Sequence, residues 1–438
     1  MPDTDKVVTR IPVEQGTIAD LRKHLDAAVN LELWTIPLYL TALSSIQSDD
    51  SSIVLPPRGP LNAGVATTVT RLIVSVAIQE MYHLQLAGNL ARLFGVAPQL
   101  AWPIYKDRIP YVYSLPAGVT VKLGTANDLD ILRLMVAVET PDHIDQPVNR
   151  GSSSVPEYAY IQYDAAGEPC YPSIGTLYSI VDQLAARFAN DLATGAPQLA
   201  NGLFTAWWGR TGLLDSGTVA TAVDVIVEQG EGALGHQAAP ITDPAALASD
   251  SDFTDPFFAE NCFSHFERFT LALDNLGRGV TVWPTPSTAD AAGGAQSRLS
   301  VLFRRLLDNL RSGWGGGKPD LSPMFVFRTA MSQVYQAGEI PAFAPPGPDS
   351  PGYDEVLAAL APPQDATWNA NVRYFFTLTD AAGMQAAGLK TPDLSSQTSV
   401  KAGQANILAA IRNAMMPPGE LNEWSPAQLK SFGDWKGD

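Results

Sequence analysis

Cysteine is nearly absent from this chain of 438 residues, with Cys170 and Cys262 the whole complement. Two are too few for a disulfide framework or a cysteine-rich zinc site, although a single bridge stays open. Histidine is almost as scarce, at five residues. Positive charge is in deficit: 28 Lys and Arg against 45 Asp and Glu leave a net charge of −17 and a sequence pI near 4.6. That balance argues against nucleic acid or an anionic membrane surface as partner. No uninterrupted apolar run approaches the length of a membrane span, and the first residues, Met1-Pro-Asp-Thr-Asp-Lys6, lack a basic region followed by an apolar core. The expectation is a soluble, cytoplasmic protein. No internal repeat, glycine-rich nucleotide fingerprint, nucleophile elbow or Cys-x-x-Cys-His motif for covalent haem is present.

What the chain does have is apolar residues, 46% of the total, at helical spacing. Thr17 can cap a long first helix reaching about Gln47, with Leu21, Leu25, Ala28, Val29, Leu33, Ile36 and Leu40 on its buried side and Pro37 as a candidate kink. A Ser-, Pro- and Gly-containing loop leads to a second long helix over about 65–94, closed by Gly95 and expected to run antiparallel to the first. Helical patterns return over 127–140, where Pro141 stops them, and over 173–193, 218–232 and 256–277. Strand signals are sparse. Four long helices with extra pieces between them give an all-α fold, a four-helix bundle with a crossover. Two further helices fall between 297 and 338, broken over 313–323. The expected division is a main bundle over 1–340, a Pro-rich linker over 341–364 and a small helical unit over 365–438.

Chemistry concentrates in a few positions. Glu80 and His83 are one turn apart on the second helix, a spacing that lets carboxylate and imidazole hold one ion. Their neighbours Ala77, Ile78, Met81, Leu84, Leu86 and Ala87 leave almost no polar face, so both must be paired where they lie. Glu32 sits mid-helix among Leu31, Leu33, Trp34 and Ile36, where a carboxylate is costly to bury without a proton, a partner or a cation. Glu228 and Glu231 share one face of a later helix, and either can ligate. His265 lies among aromatic residues. Glu139 ends a short apolar helix and is either bonded to loop amides or the carboxylate that completes a set of four, since Cys262 occupies the symmetric position three residues before His265. Four carboxylates and two histidines are the donor set of a non-haem dimetal centre in a helix bundle.

In order, Leu31-Glu-Leu-Trp-Thr-Ile-Pro-Leu-Tyr-Leu-Thr-Ala-Leu43, Glu80-Met-Tyr-His83, Val138-Glu-Thr-Pro141, Ser173-Ile-Gly-Thr-Leu-Tyr178, Ile226-Val-Glu-Gln-Gly-Glu-Gly232 and Ser264-His-Phe-Glu-Arg-Phe269 resemble the ferritin-like domain of the iminophenyl-pyruvate dimer synthase type, over residues of about 17–280. That family includes enzymes that couple two imines of aromatic 2-oxo acids on the route to bisindole pigments. The resemblance implies a ferritin-like four-helix bundle with long inter-helix insertions. It maps the family's metal-facing glutamates onto Glu32, Glu80, Glu139 and Glu231, preferring Glu231 to Glu228, and its histidines onto His83 and His265. The chain departs at Leu33-Trp34, where the family often reads His-Ala, and lacks an additional region of the longer pigment synthases.

The donor set and the resemblance together imply an oxidative enzyme with two iron ions, or a manganese–iron pair, using O2 or a peroxide. Its substrate would be a small metabolite derived from an aromatic amino acid or 2-oxo acid, in secondary metabolism. A homo-oligomer or a pathway partner is expected. The alternatives are a ferroxidase-like metal-binding protein and a ferritin-like scaffold without catalysis. Tyr105, Tyr111, Tyr113, Tyr158, Tyr160, Tyr163 and Tyr171 crowd two inter-helix loops and either line a pocket for an aromatic ligand or pack on the bundle. The tail, with Asn371-Val-Arg-Tyr-Phe-Phe376, Met416-Pro-Pro-Gly419 and Phe432-Gly-Asp-Trp435, looks like a small helical bacterial module serving as a docking or stabilising appendage.

Overall fold

The structure, a computed structural model, describes residues 7–46, 65–141 without 114, 117, 127 and 128, 158–199, 212–230, 264–276, 282–283, 294–317, 323–360, 394, 396–412 and 432–436. Its two longest helices are α1 (Ile18–Ser45) and α2 (Val65–Leu93). The α1 start follows from a capping box: Thr17 accepts from the Asp20 amide at 3.2 Å, and the Asp20 carboxylate accepts from the Thr17 amide at 2.8 Å. Pro37 lies inside α1 without ending it. The Arg22 side chain, near the start of α1, donates to the carbonyl of Phe94, just past the end of α2, so the two helices are antiparallel.

Shorter helices surround this pair. They are α3 (Asp130–Val138), α4 (Ile174–Arg187), α5 (Val219–Gly230) and α6 (His265–Leu276). α4 packs on α1 and α5, while α6 packs on α2 and α3. The expected 256–277 helix is therefore seen from His265 onward, its first part lying outside the described residues. Ser264-His-Phe-Glu267 starts it: the Ser264 amide donates to Glu267 at 2.8 Å and the Glu267 amide to the Ser264 hydroxyl at 3.3 Å, fixing His265 in the first turn.

Two more helices, α7 (Gly294–Trp314) and α8 (Pro323–Gln336), close the other side of the pair. A Cβ at Gly88 would stand 1.9 Å from the Trp314 ring, so a glycine in the last two turns of α2 is the seat of that indole. Trp314 also donates to Asn89 Oδ1 at 3.1 Å. The Asn89 amide nitrogen bonds the carbonyls of Leu199 and Gly212, tying both chain segments to α2. Within the stretch expected to be a linker, Tyr353–Leu360 forms α9, and its Val356 and Leu360 join the main core. In the tail, α10 (Gln397–Arg412) carries Lys401, which donates to the Trp435 carbonyl at 2.6 Å, and Phe432 and Trp435 are both buried. Most of that module lies outside the described residues.

Among the described residues, sheet is limited to β1 (Thr9–Pro12) antiparallel to β2 (Tyr160–Tyr163), with Thr9 opposite Tyr163 and Pro12 opposite Tyr160. No described helix is long and apolar enough to cross a membrane.

Candidate metal centre

The middle turns of α1 and α2 are buried nearly all round, so a polar side chain there must find partners among other side chains. Three carboxylates and two imidazoles do so at one place. Glu32 comes from α1, Glu80 and His83 from α2, Glu139 from the C-terminal cap of α3 and His265 from the first turn of α6. All five are at most 3% exposed.

Glu80 is the centre of the group. Its Oε1 lies 2.8 Å from His265 Nδ1 and 3.4 Å from His83 Nδ1. Glu32 Oε2 is 3.9 Å from His83 Nδ1, and Glu139 Oε2 is 3.8 Å from His265 Nδ1. One histidine and one outer glutamate thus stand at each end, with Glu80 between them. The two rings are stacked, with centroids 5.2 Å apart and planes inclined by 24°. Single ligand atoms of Glu80, His83 and His265 fall within 4.8 Å of one another, close enough to share an ion.

The outer atoms are engaged in the same symmetric way. Tyr178 donates to Glu32 Oε1 at 2.6 Å, Tyr39 donates to Glu139 Oε1, and the Thr35 hydroxyl lies 2.5 Å from Glu80 Oε2. His83 Nε2 meets the amide oxygen of Gln229 at 2.9 Å, and His265 Nε2 that of Gln79 at 3.0 Å. An amide oxygen accepts, so each Nε2 carries a hydrogen, and in the neutral ring Nδ1 is left as the electron-pair donor facing the carboxylates. His265 Nδ1, although 2.8 Å from an oxygen, has no aligned hydrogen-bond partner. A ring nitrogen that close yet misaligned for a proton, in a set of carboxylates and imidazoles, fits a transition-metal ion.

Electrostatics show what a cation would relieve. Burial, then the charge of Glu80, hold the Glu32 carboxyl well above the usual range. Burial pushes Glu80 the same way, but the imidazoles of His265 and His83 outweigh it and keep Glu80 low. For His265, burial opposes charge, and Glu139 and Glu80 overcome it and raise the pKa. Without a cation, the centre favours a proton on Glu32 and one at His265 Nδ1, which a bound ion would displace. Burial, followed by the adjoining Glu139 and Glu32, likewise raises the phenols of Tyr39 and Tyr178, so both remain hydrogen donors.

Of the six ligands expected from sequence, the structure brings together Glu32, Glu80, His83, Glu139 and His265. Glu231 and Cys262 lie outside the described residues. Glu228, the alternative ligand, is exposed on α5. Beyond it on α5, Gln229 reaches His83, and a Cβ at Gly230 would stand 3.3 Å from Glu139 Oε2. Among the described residues, the Glu139 side chain accepts from Tyr39 and from no loop amide. Sequence reasoning missed Gln79, Gln229, Tyr39 and Thr35, and Arg268, which donates to Gln79 Oε1. For Thr35 and Tyr39 the available signal was spacing, since they follow Glu32 by one and two turns on the same face.

The loop tyrosines mostly pack on the bundle. Tyr171 donates to His24 Nε2 at 2.6 Å, Tyr163 to Asp20 at 2.5 Å and Tyr105 to the Trp34 carbonyl at 2.6 Å. Tyr111 and Tyr113 line a half-open cavity of about 350 Å³ with Arg108, Asp164 and Cys170, and no ligand candidate contributes to it.

The model of the Ferritin-like family matches residues 25–272, more than half of the chain and the span that holds all six candidate ligands. Among solved structures, the chain is similar to a ferritin-like protein from Caulobacter vibrioides, determined at 1.95 Å resolution. The two are 24% identical, with 75% of this chain and 99% of that one covered and a TM-score of 0.53, a likeness of fold. No curated protein matches the chain.

Proposed function

The chain belongs to the Ferritin-like family, and on that premise we propose that it is a non-haem dimetal oxidative enzyme. Glu32 and His83 would hold one ion and Glu139 and His265 the other, with Glu80 between them and Glu231 as a further carboxylate. Two iron ions are the preferred pair, a manganese–iron pair the alternative. The observation that carries this reading is the two-ended set of buried donors with every Nδ1 turned inward. When bound, such a pair supplies redox chemistry with O2 or a peroxide as the oxidant.

The protein's own part is to position and protect. Thr35, Tyr39 and Tyr178 hold the outer carboxylate oxygens so that the inner ones need little rearrangement to bind. Tyr39, Tyr178 and Phe269, whose ring packs edge-on against Tyr39, are fully buried and keep bulk water from the carboxylates. The substrate class, a small metabolite derived from an aromatic amino acid or 2-oxo acid, rests on the resemblance to the iminophenyl-pyruvate dimer synthase type. The test is oxygen uptake after anaerobic loading with Fe(II). Rapid consumption by the wild type that is lost in Glu80→Ala supports an oxidative centre. Bound iron that leaves oxygen untouched, with or without candidate 2-oxo acids, favours the scaffold reading.

A further inference from the structure

Gln79 could present either end of its amide to His265, and the two ends have opposite consequences. With its oxygen toward the ring, Nε2 carries the hydrogen and Nδ1 is free to ligate. With its NH2 toward the ring, Nε2 must accept, and the hydrogen moves to Nδ1, where it blocks the metal-facing electron pair. Something has to choose between these orientations.

Arg268 makes the choice. Its guanidinium Nη1 donates to Gln79 Oε1 at 2.8 Å, on the same oxygen that His265 Nε2 approaches at 3.0 Å. Guanidinium never accepts, so the reversed amide would set donor against donor at a site where Arg268 is itself buried. Gln79 Nε2 has no hydrogen-bond partner among the described residues, so the amide's own donor end does not set the orientation. Arg268 and His265 are three residues apart on α6, and Gln79 precedes the ligand Glu80 on α2, so the relay ties the two helices together behind the centre. We infer that Arg268 is a positioning residue: acting through Gln79, it fixes His265 with Nδ1 as the ligand atom.

The inference rests on the metal-centre reading, and its test separates the two. Full-length, metal-stripped protein is titrated with Co(II), following the visible absorption of the bound ion. Arg268→Met keeps the bulk but lets the Gln79 amide turn, and binding at the His265 end should weaken by about tenfold to a hundredfold, with a changed absorption band. The double variant Arg268→Met with Gln79→Glu should recover most of that loss, because a carboxylate presents an acceptor in either orientation. A merely charge-balancing arginine predicts the reverse in the single variant, since removing a buried positive charge beside the centre would tighten its hold on a cation. Wild-type affinity in Arg268→Met, or a double variant no better than the single one, would overturn the inference. Absence of Co(II) binding in the wild type would instead overturn the metal-centre reading. Should Arg268→Met fail to fold, Gln79→Leu carries the test, with the same weakening expected and unchanged binding as the contrary result.

Discussion

His265 Nδ1 and Glu80 Oε1 are 2.8 Å apart, from α6 and α2, without the alignment of a hydrogen bond. Two buried groups held that close, and misaligned for a proton, are placed to serve as neighbouring ligands of one cation. A cation that binds the folded chain and not the unfolded one stabilises it, by about 2.7 kcal/mol at a hundredfold excess over Kd. Fe(II), Mn(II) or Co(II) should raise the melting temperature by a few degrees, and a chelator should reverse it. A melting temperature indifferent to all three would contradict the assignment.

Tyr39 and Tyr178 each give their hydroxyl to one outer glutamate. Tyr39→Phe or Tyr178→Phe leaves a buried carboxylate oxygen without its donor, at a cost of about 1–3 kcal/mol in each case. Urea unfolding of the metal-free protein measures it. Losses below a few tenths of a kcal/mol would show that water replaces the phenol and that these residues are packing alone.

Gly88 and Trp314 form a contact in which no Cβ fits. Gly88→Ala should destabilise the protein by about 1–3 kcal/mol through overpacking, and Trp314→Phe should relieve part of that in the double variant. Strict additivity in the double-mutant cycle would mean that the alanine is accommodated by α2 moving as a whole.

His24 gives the clearest pH effect away from the centre. Burial, first of all, lowers its pKa from 6.5 to about 4, with the Asp20 carbonyl 2.7 Å from Nδ1 and the Tyr171 hydroxyl 2.6 Å from Nε2, the pattern of a neutral ring. Between those two values the unfolded chain binds a proton that the folded chain refuses. Stability from this group is therefore complete above pH 6.5 and falls as pH drops toward 4, by roughly 3 kcal/mol in all. Replacing it in His24→Phe should flatten the pH dependence of the urea midpoint over that window. Identical slopes for the two proteins would contradict the sign.

Long α1 and α2 were legible because their apolar residues recur at helical spacing, and Glu32, Glu80 and His83 stood out as polar residues in those buried stretches. Glu139 was legible in position but not in partner, since its bond to Tyr39 joins separate helices. Glu228 and Glu231 looked alike because three residues differ by only about 60° around a helix, yet at the edge of a packed face that angle turns Glu228 to solvent. Gln79, Gln229 and Arg268 were not legible at all. Amides and guanidinium groups read as solvated until the fold sets a histidine against them. The loop tyrosines left two readings open, and Tyr163 and Tyr171 take the packing one, with partners Asp20 and His24 far earlier in the chain.

The central claim, that Glu32, Glu80, His83, Glu139 and His265 hold metal, is tested most directly by elemental analysis of protein purified without chelator, beside Glu80→Ala and His83→Ala. The dimetal account predicts about two iron or manganese ions per chain in the wild type, lost in both variants while the helical circular dichroism is kept. Substoichiometric metal that is the same in all three proteins would contradict it.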